Sequence, residues 1–278
     1  MRAVRTFFAL SLAGLFLAAA MPAMAAPQTS FTLTDGNSVA TFDLASDAGM
    51  SGWTVEGVNQ LAKQWFWYRT GATGDESSIH TLTLDASNAF DMNGDSNDDS
   101  LYARYLGTGF KIEIRWSLTG GTTGSKNSLL GEQIKITNTY TTALDFHFFQ
   151  YTDFNLGGAA DATDDQVTII LPLVDTVVYQ WDPDWEADTA LVLEADYYMA
   201  GDPTTILNLF SDGSPTTLSG PATAGPADVA WALQWDFTLG GGKSYLRGFE
   251  KHITPEPATM AMLALGGAGL FLAKRRRG

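Results

Sequence analysis

The sequence predicts an all-β body, a large antiparallel β-sandwich, on three observations. Short stretches alternate strictly between polar and apolar residues, turn clusters rich in Gly, Asp and Asn separate them, and no sustained helical period of apolar residues runs through the chain. Lys111-Ile112-Glu113-Ile114-Arg115-Trp116, Glu132-Gln133-Ile134-Lys135-Ile136-Thr137 and Trp231-Ala232-Leu233-Gln234-Trp235-Asp236-Phe237 each put polar side chains on one face and apolar ones on the other. A strand so patterned rests one face on a core and leaves the other in water. Asp35-Gly36-Asn37, Gly71 to Asp75, Thr119 to Lys126, Gly201-Asp202-Pro203, Ser211 to Pro215 and Gly240 to Gly242 supply the turns.

Taken in order, the chain opens with a signal-peptide pattern: basic Arg2 and Arg5, an apolar stretch from Phe7 to Ala20, and the small-x-small site Ala23-Met24-Ala25. Residues 1–25 are therefore expected to be a signal peptide, helical while in the membrane, with the mature chain starting at Ala26. Residues 26–253 form the expected sandwich, a length that one β domain commonly spans. Val58 to Lys63 reads as one possible helical turn, and Ser214 to Pro226, rich in Pro, Gly, Ala, Ser and Thr, as a long surface loop. Trp65-Phe66-Trp67-Tyr68 and Phe146-His147-Phe148-Phe149-Gln150-Tyr151 carry aromatics on both faces, so protein covers both sides or one face binds a ligand.

Residues 254–278 repeat the targeting theme. Pro255-Glu256-Pro257 is followed by the apolar run Ala258 to Ala273 and then by Lys274-Arg275-Arg276-Arg277. Its sixteen uncharged residues would make a helix of roughly 24 Å, long enough to anchor in a bilayer with slight thinning. The basic cluster would stay on the cytoplasmic side, which leaves everything before Pro255 outside. The order of these three parts resembles the PEP-CTERM sorting signal. That resemblance implies an exosortase-type processing enzyme as partner, after the Sec translocon and signal peptidase, and a destination at the cell surface or extracellular matrix of a diderm bacterium, in company with exopolysaccharide.

Charge and composition narrow the functions. The chain has 16 basic and 31 acidic residues; two basic ones fall in the N-terminal segment, four basic and one acidic in the tail, which leaves the body 10 and 30, a formal net charge of −20. Such a surface repels nucleic acid and attracts cations. No cysteine is present, so disulfides, thiolate nucleophiles and cysteine metal sites are excluded. Asp91-Met92-Asn93-Gly94-Asp95-Ser96-Asn97-Asp98-Asp99 offers oxygens at Asp91, Asn93, Asp95 and Asn97, with Asp99 nearby, in a spacing that resembles the start of a Ca²⁺-binding loop. It departs from that pattern at Gly94, at Ser96 and at Tyr102, and a solvated acidic turn would account for it equally. A second acidic cluster, Asp161 to Asp165, follows Gly157-Gly158.

Trp181 and Trp185, set among Asp182, Asp184, Glu186 and Asp188, are the candidate ligand-stacking aromatics, with a loop folded back on the core as the other reading. No catalytic motif is present: His80, His147 and His252 are isolated, and no nucleophile elbow or zinc-binding helix pattern occurs. Asp153 and Glu113 are conceivable glycosidase acids, although Glu113 on a water-facing strand is better placed to pair with Lys111, Arg115 or a cross-strand partner. The body's sequence is also similar to large β-sandwiches of the galactose-mutarotase kind, which implies the fold and carries no catalytic residue across. The sequence thus points to a non-enzymatic exported protein associated with exopolysaccharide, Ca²⁺ being a conceivable bridge. The alternatives are a carbohydrate-active enzyme and a self-assembling surface protein.

Overall fold

A computed structural model describes residues 26–170, 176–191 and 194–255. The expected signal peptide, the apolar C-terminal run and Glu256, Pro257 and Lys274 to Arg277 lie outside the described residues, among which no helix is long and apolar enough to cross a membrane.

The chain opens with the meander β1 (Ser30–Asp35), β2 (Ser38–Asp43) and β3 (Gly49–Val55), turns back through β4 (Val58–Asn59), and runs into β5 (Leu61–Thr70) and its short partner β6 (Ser77–Ser78). A second meander follows in β7 (Thr83–Phe90), β8 (Ser100–Gly107), β9 (Phe110–Gly120) and β10 (Ser128–Asn138). β11 (Leu144–Phe154) returns to the first sheet, and β12 (Gln166–Ile170), β13 (Val177–Trp181) and β14 (Trp185–Leu191) extend the second. The last part holds β15 (Tyr197–Gly201), the helix α1 (Pro203–Leu209), β16 (Thr223–Ala224), β17 (Ala230–Leu239) and β18 (Ser244–Pro255). In space the first sheet runs β1-β2-β3-β5-β11-β17-β15 and the second β16-β12-β13-β14-β18-β10-β9-β8-β7. All pairs are antiparallel except a short contact between β3 and β5.

β9 and β10 behave as their alternation predicts, with Ile112, Ile114, Trp116, Leu130, Ile134 and Ile136 inside and Lys111, Glu113, Arg115, Gln133 and Lys135 outside, except that Glu132 is turned inward and buried. β17 does not: Ala230 to Trp235 are all buried, because protein covers both its faces. The same holds for β5 and β11 at the centre of the first sheet. Their inner faces carry Phe66 and Phe148, stacked with centroids 5.6 Å apart, against Trp116 of the facing sheet. Their outer faces carry Trp67 and Phe149, which pack on Phe210 just beyond α1.

One sequence reading is corrected by this outer layer and a second is refined. Gly201-Asp202-Pro203 is a helix start, where Asp202 Oδ1 accepts the Thr205 N–H at 2.7 Å and Pro203 takes the first helical position. The Ser214–Pro226 stretch is the long, mostly exposed loop its composition suggests, pinned at two points: Leu218 is buried, its N–H donates to Gln234 Oε1 at 2.8 Å, and the Thr216 N–H donates to Glu76 Oε1 at 2.9 Å. Val58 to Lys63 also proves to be strand, split between β4 and β5.

A lysine–glutamate pair on neighbouring strands of the second sheet lies in the dry interior. Lys251 of β18 lies 2.6 Å from Glu132 Oε2, both side chains fully buried, and Gln150 of β11 donates to the same oxygen at 3.1 Å from the opposite sheet. Desolvation holds the Lys251 ammonium below its ordinary pKa, with the Glu132 charge opposing that shift. Removing one partner leaves a buried charge alone, so Lys251→Met should cost about 3–5 kcal/mol of unfolding free energy in urea melts. The double variant Lys251→Met/Glu132→Leu should regain most of that loss.

Candidate functional site

The outward face of β8, β9, β10 and β18 forms a shallow polar groove. Strand register brings Ser117, Gly131 and Glu250 into one row, and Arg115, Gln133 and Gly248 into the next, with Tyr102 beside Arg115 and Lys135 beside Glu113. These side chains bound two adjoining hollows of about 370 and 250 Å³ that share Arg115 and Gln133. Gly131 and Gly248 make the floor, so a ligand can approach the strand backbone there. A side chain at Gly131 would meet Ser117 Oγ at 2.7 Å from its Cβ.

Hydrogen bonds order the groove. Tyr102 Oη donates to Glu113 Oε1 at 3.0 Å, and Lys111 Nζ lies 3.0 Å from Glu113 Oε2. Partial burial opposes ionisation of Glu113, but the bonds from Lys111 and Tyr102 outweigh it and hold the carboxyl below its ordinary pKa. Burial and the neighbouring Glu113 push the Tyr102 phenol up. The Arg115 guanidinium sits 5.2 Å from the centre of the Tyr102 ring. Arg104 pairs with Asp85, whereas among the described residues neither Arg115 nor Lys135 makes an ion pair. Four of the body's ten cations (Arg104, Lys111, Arg115 and Lys135) thus share three neighbouring strands.

The residues singled out from sequence fall elsewhere. In the acidic loop Asp91 accepts the Gly94 and Ser96 N–H groups at 2.6 and 2.9 Å, Asn93 that of Asp95 at 2.9 Å, and Asp95 that of Asn97 at 2.8 Å. Asp99 is buried and accepts the Met92 and Asn93 N–H groups. The oxygens of this loop cap its own backbone, and among the described residues no group of three or more acid or histidine side chains is placed to hold a metal ion. Trp181 and Trp185 end and begin a tight hairpin where the sequence suggests a loop. Trp185 is buried, with Lys126 Nζ 4.5 Å from its ring centre, so its face is occupied by the protein itself; Trp181 is half-buried. Pro255 is the last residue of β18 and pairs with Trp185. The groove has a sequence signal in the charges of Lys111-to-Arg115 and Gln133-to-Lys135, but its glycine floor depends on register between distant strands.

Asp153 and Glu113 lie on different sheets, and each points away from the interior. Asp153 Oδ2 accepts the Tyr151 hydroxyl at 3.1 Å, while Oδ1 is buried with no partner. Burial pushes its carboxyl up to about 7, the Asp228 charge adds to this, and the Tyr151 bond and Lys63 offset only part.

The fold and the C-terminal segment together define an exported β-sandwich with a sorting signal. Residues 254–277 match the family model of the PEP-CTERM protein-sorting motif, so the chain carries the signal that exosortase processes. No curated protein matches the chain significantly. Among solved structures it is similar to a bacterial glucoamylase complexed with acarbose (TM-score 0.54, 9% identity), over 88% of this chain and 35% of that one. The chain thus spans about a third of the glucoamylase's length. A putative aldose 1-epimerase from Escherichia coli K12 gives a TM-score of 0.51 at 11% identity, over 82% of this chain and 99% of that one. A Synechocystis sp. PCC 6803 protein gives 0.51 at 10% identity, over 83% of this chain and 96% of that one. At such identities the likeness is one of fold.

Because the Asp153 pKa is raised on folding, its favourable contribution is complete below the unfolded carboxylate value and is lost as pH rises through about 7. Asp153→Asn should therefore be more stable than the natural chain at pH 8, by on the order of a few kcal/mol, with the gap shrinking below pH 7 and closing only near pH 4. A pH-independent gap would show that Asp153 is ionised throughout.

Proposed function

We propose that the exported body is a non-enzymatic module of the cell surface or extracellular matrix that holds an acidic polysaccharide against the outer face of its second sheet. The observation that carries this reading is the gathering of Arg104, Lys111, Arg115 and Lys135 beside a glycine-floored groove, on a body whose net charge is −20. A polyanion is repelled by most of that surface and meets attraction on this face, which fixes its docking side. Among the described residues Arg115 makes no ion pair, and its guanidinium fork suits a uronate carboxylate, while Lys135 feels Glu113 only at longer range than Lys111 does. Bare glycine backbone and Gln133, Ser117 and Glu250 supply the hydrogen-bonding complement for hydroxyl groups. Direct cation contact takes the place of a Ca²⁺ bridge at the Asp91–Asp99 loop.

Two points favour binding over catalysis. Glu113 is held ionised by Lys111 and Tyr102, so it is a poor proton donor, and Asp153, the buried acid with a pKa near 7, stands on the other sheet. Export by the Sec translocon and signal peptidase, then exosortase, places the module where such a polymer accumulates. The names of the glucoamylase and the putative epimerase make a saccharide the first ligand class to test.

The full-length chain, purified in detergent, should be retained by immobilised polygalacturonate, released by about 0.5 M NaCl, and pass through neutral dextran. Arg115→Ala and Lys135→Ala should each weaken retention about three- to fivefold. Equal retention on both polymers, or variants that bind like the natural chain, would overturn the assignment of this face. Shortening of the polymer chains during incubation would replace it with an enzyme.

A further inference from the structure

Four segments meet at one end of the second sheet: the turn after β11 at Asn155–Gly158, the single helical turn Ala162–Asp164, the entry to β12 at Asp165 and the exit from β13 at Asp182. The β12–β13 register pairs Gln166 with Trp181, which sets Asp165 and Asp182 side by side. Asp182 is 1% exposed. Its Oδ1 accepts the Asp184 and Trp185 N–H groups at 2.7 and 2.5 Å, which fixes the carboxylate plane, while Oδ2 is buried with no hydrogen-bond partner.

That free oxygen points over Gly157. A Cβ at Gly157 would lie 3.0 Å from Asp182 Oδ2 and 2.6 Å from Asp161 Oδ2, so two carboxylate oxygens converge in the space that any larger residue would fill. Gly157 also has φ +73°, a conformation that glycine adopts without strain. Asp164 Oδ1 and Asp165 Oδ1 are buried nearby and likewise unpartnered. Among the described residues none of these four carboxylates makes an ion pair. Burial, then the charges of Asp161 and Asp164, pushes the Asp182 carboxyl up; burial pushes Asp165 up to about 8, with Asp182 and Asp164 adding to it.

Buried carboxylates without a cation or a proton are among the costliest arrangements in a protein. Two N–H donors on Asp182 favour its ionised form, and Asp161 is exposed, which leaves the cluster open to an ion from solvent. We propose that a hard divalent cation of the Ca²⁺ class binds over Gly157 between Asp161 and Asp182, with carbonyl oxygens of the turn and water completing its shell. Two converging carboxylates are a partial site, and the turn supplies the neutral oxygens that Ca²⁺ accepts alongside carboxylates. The ion ties the β12–β13 hairpin to the turn after β11, and so joins the two sheets at that end.

The test is terbium luminescence and thermal unfolding of the full-length chain, with Ca²⁺ and with chelator. Excitation of Trp181 and Trp185, which flank the site in sequence, should sensitise bound Tb³⁺, and Ca²⁺ should displace it with half-effect at about 10⁻⁴–10⁻³ M while raising the melting temperature. Asp182→Asn and the exposed Asp161→Asn should each abolish both signals, whereas Asp91→Asn/Asp95→Asn should leave them unchanged. Asp161→Asn, at the surface, keeps the experiment readable where Asp182→Asn fails to fold. Absence of any Ca²⁺ response in the natural chain, its survival in Asp161→Asn, or its loss in Asp91→Asn/Asp95→Asn would overturn the proposal.

Discussion

The two aromatic strands at the centre of the first sheet, β5 and β11, impose a constraint on everything around them. Each carries large rings on both faces, and rings of this size contribute most of their stabilisation only when water is removed from them. A plain two-sheet sandwich would dry one face and leave Trp67, Phe149 and Tyr151 wet. The chain meets the demand with a third, partial layer of α1, Phe210 and the stretch around Leu218, which closes over the outer face. β17 is consequently buried on both sides as well. Arg69 and Glu76, paired at 3.0 Å, anchor the edge of this layer, since Glu76 also receives the Thr216 N–H.

Charge is distributed with equal consequence. The interior admits one lysine–glutamate pair within the second sheet, which Gln150 links to the opposite sheet, so sliding one sheet over the other would strip a buried carboxylate of a hydrogen bond. Outside, cations gather on β8 to β10 while acids crowd the loops and the end where β12 and β13 meet. The molecule therefore has faces of opposite electrostatic character even though its net charge is strongly negative.

The pattern of single residues reveals what depends on local periodicity. β9 and β10 are legible because each has one dry and one wet face, and the tail is legible because its three parts are contiguous. α1 is hidden: seven residues make about two turns, too few for a period to show, and its cap Asp202-Pro203 has the composition of a turn. The hairpin holding Trp181 and Trp185 is hidden for a similar reason, since Asp-Pro-Asp reads as loop whether or not strands flank it. The groove and the convergence over Gly157 need residues from separate strands, and no single stretch of sequence states which strands are neighbours. The charges of the groove were in view as an outward face; its floor was not.

The position of β18 bears on how the molecule takes a load. The sorting motif begins at residue 254, and β18 extends to Pro255 with no intervening spacer. β18 lies inside the sheet, paired along its length with β10 on one side and over its second half with β14 on the other. Ladder hydrogen bonds run across the strands, so a pull on the C-terminus along the β18 axis loads two ladders in shear, many bonds at once, where an edge strand peeled sideways would break them one by one. A body tethered at that point and dragged by a moving polymer would resist as a rivet does, through a strand held on both sides.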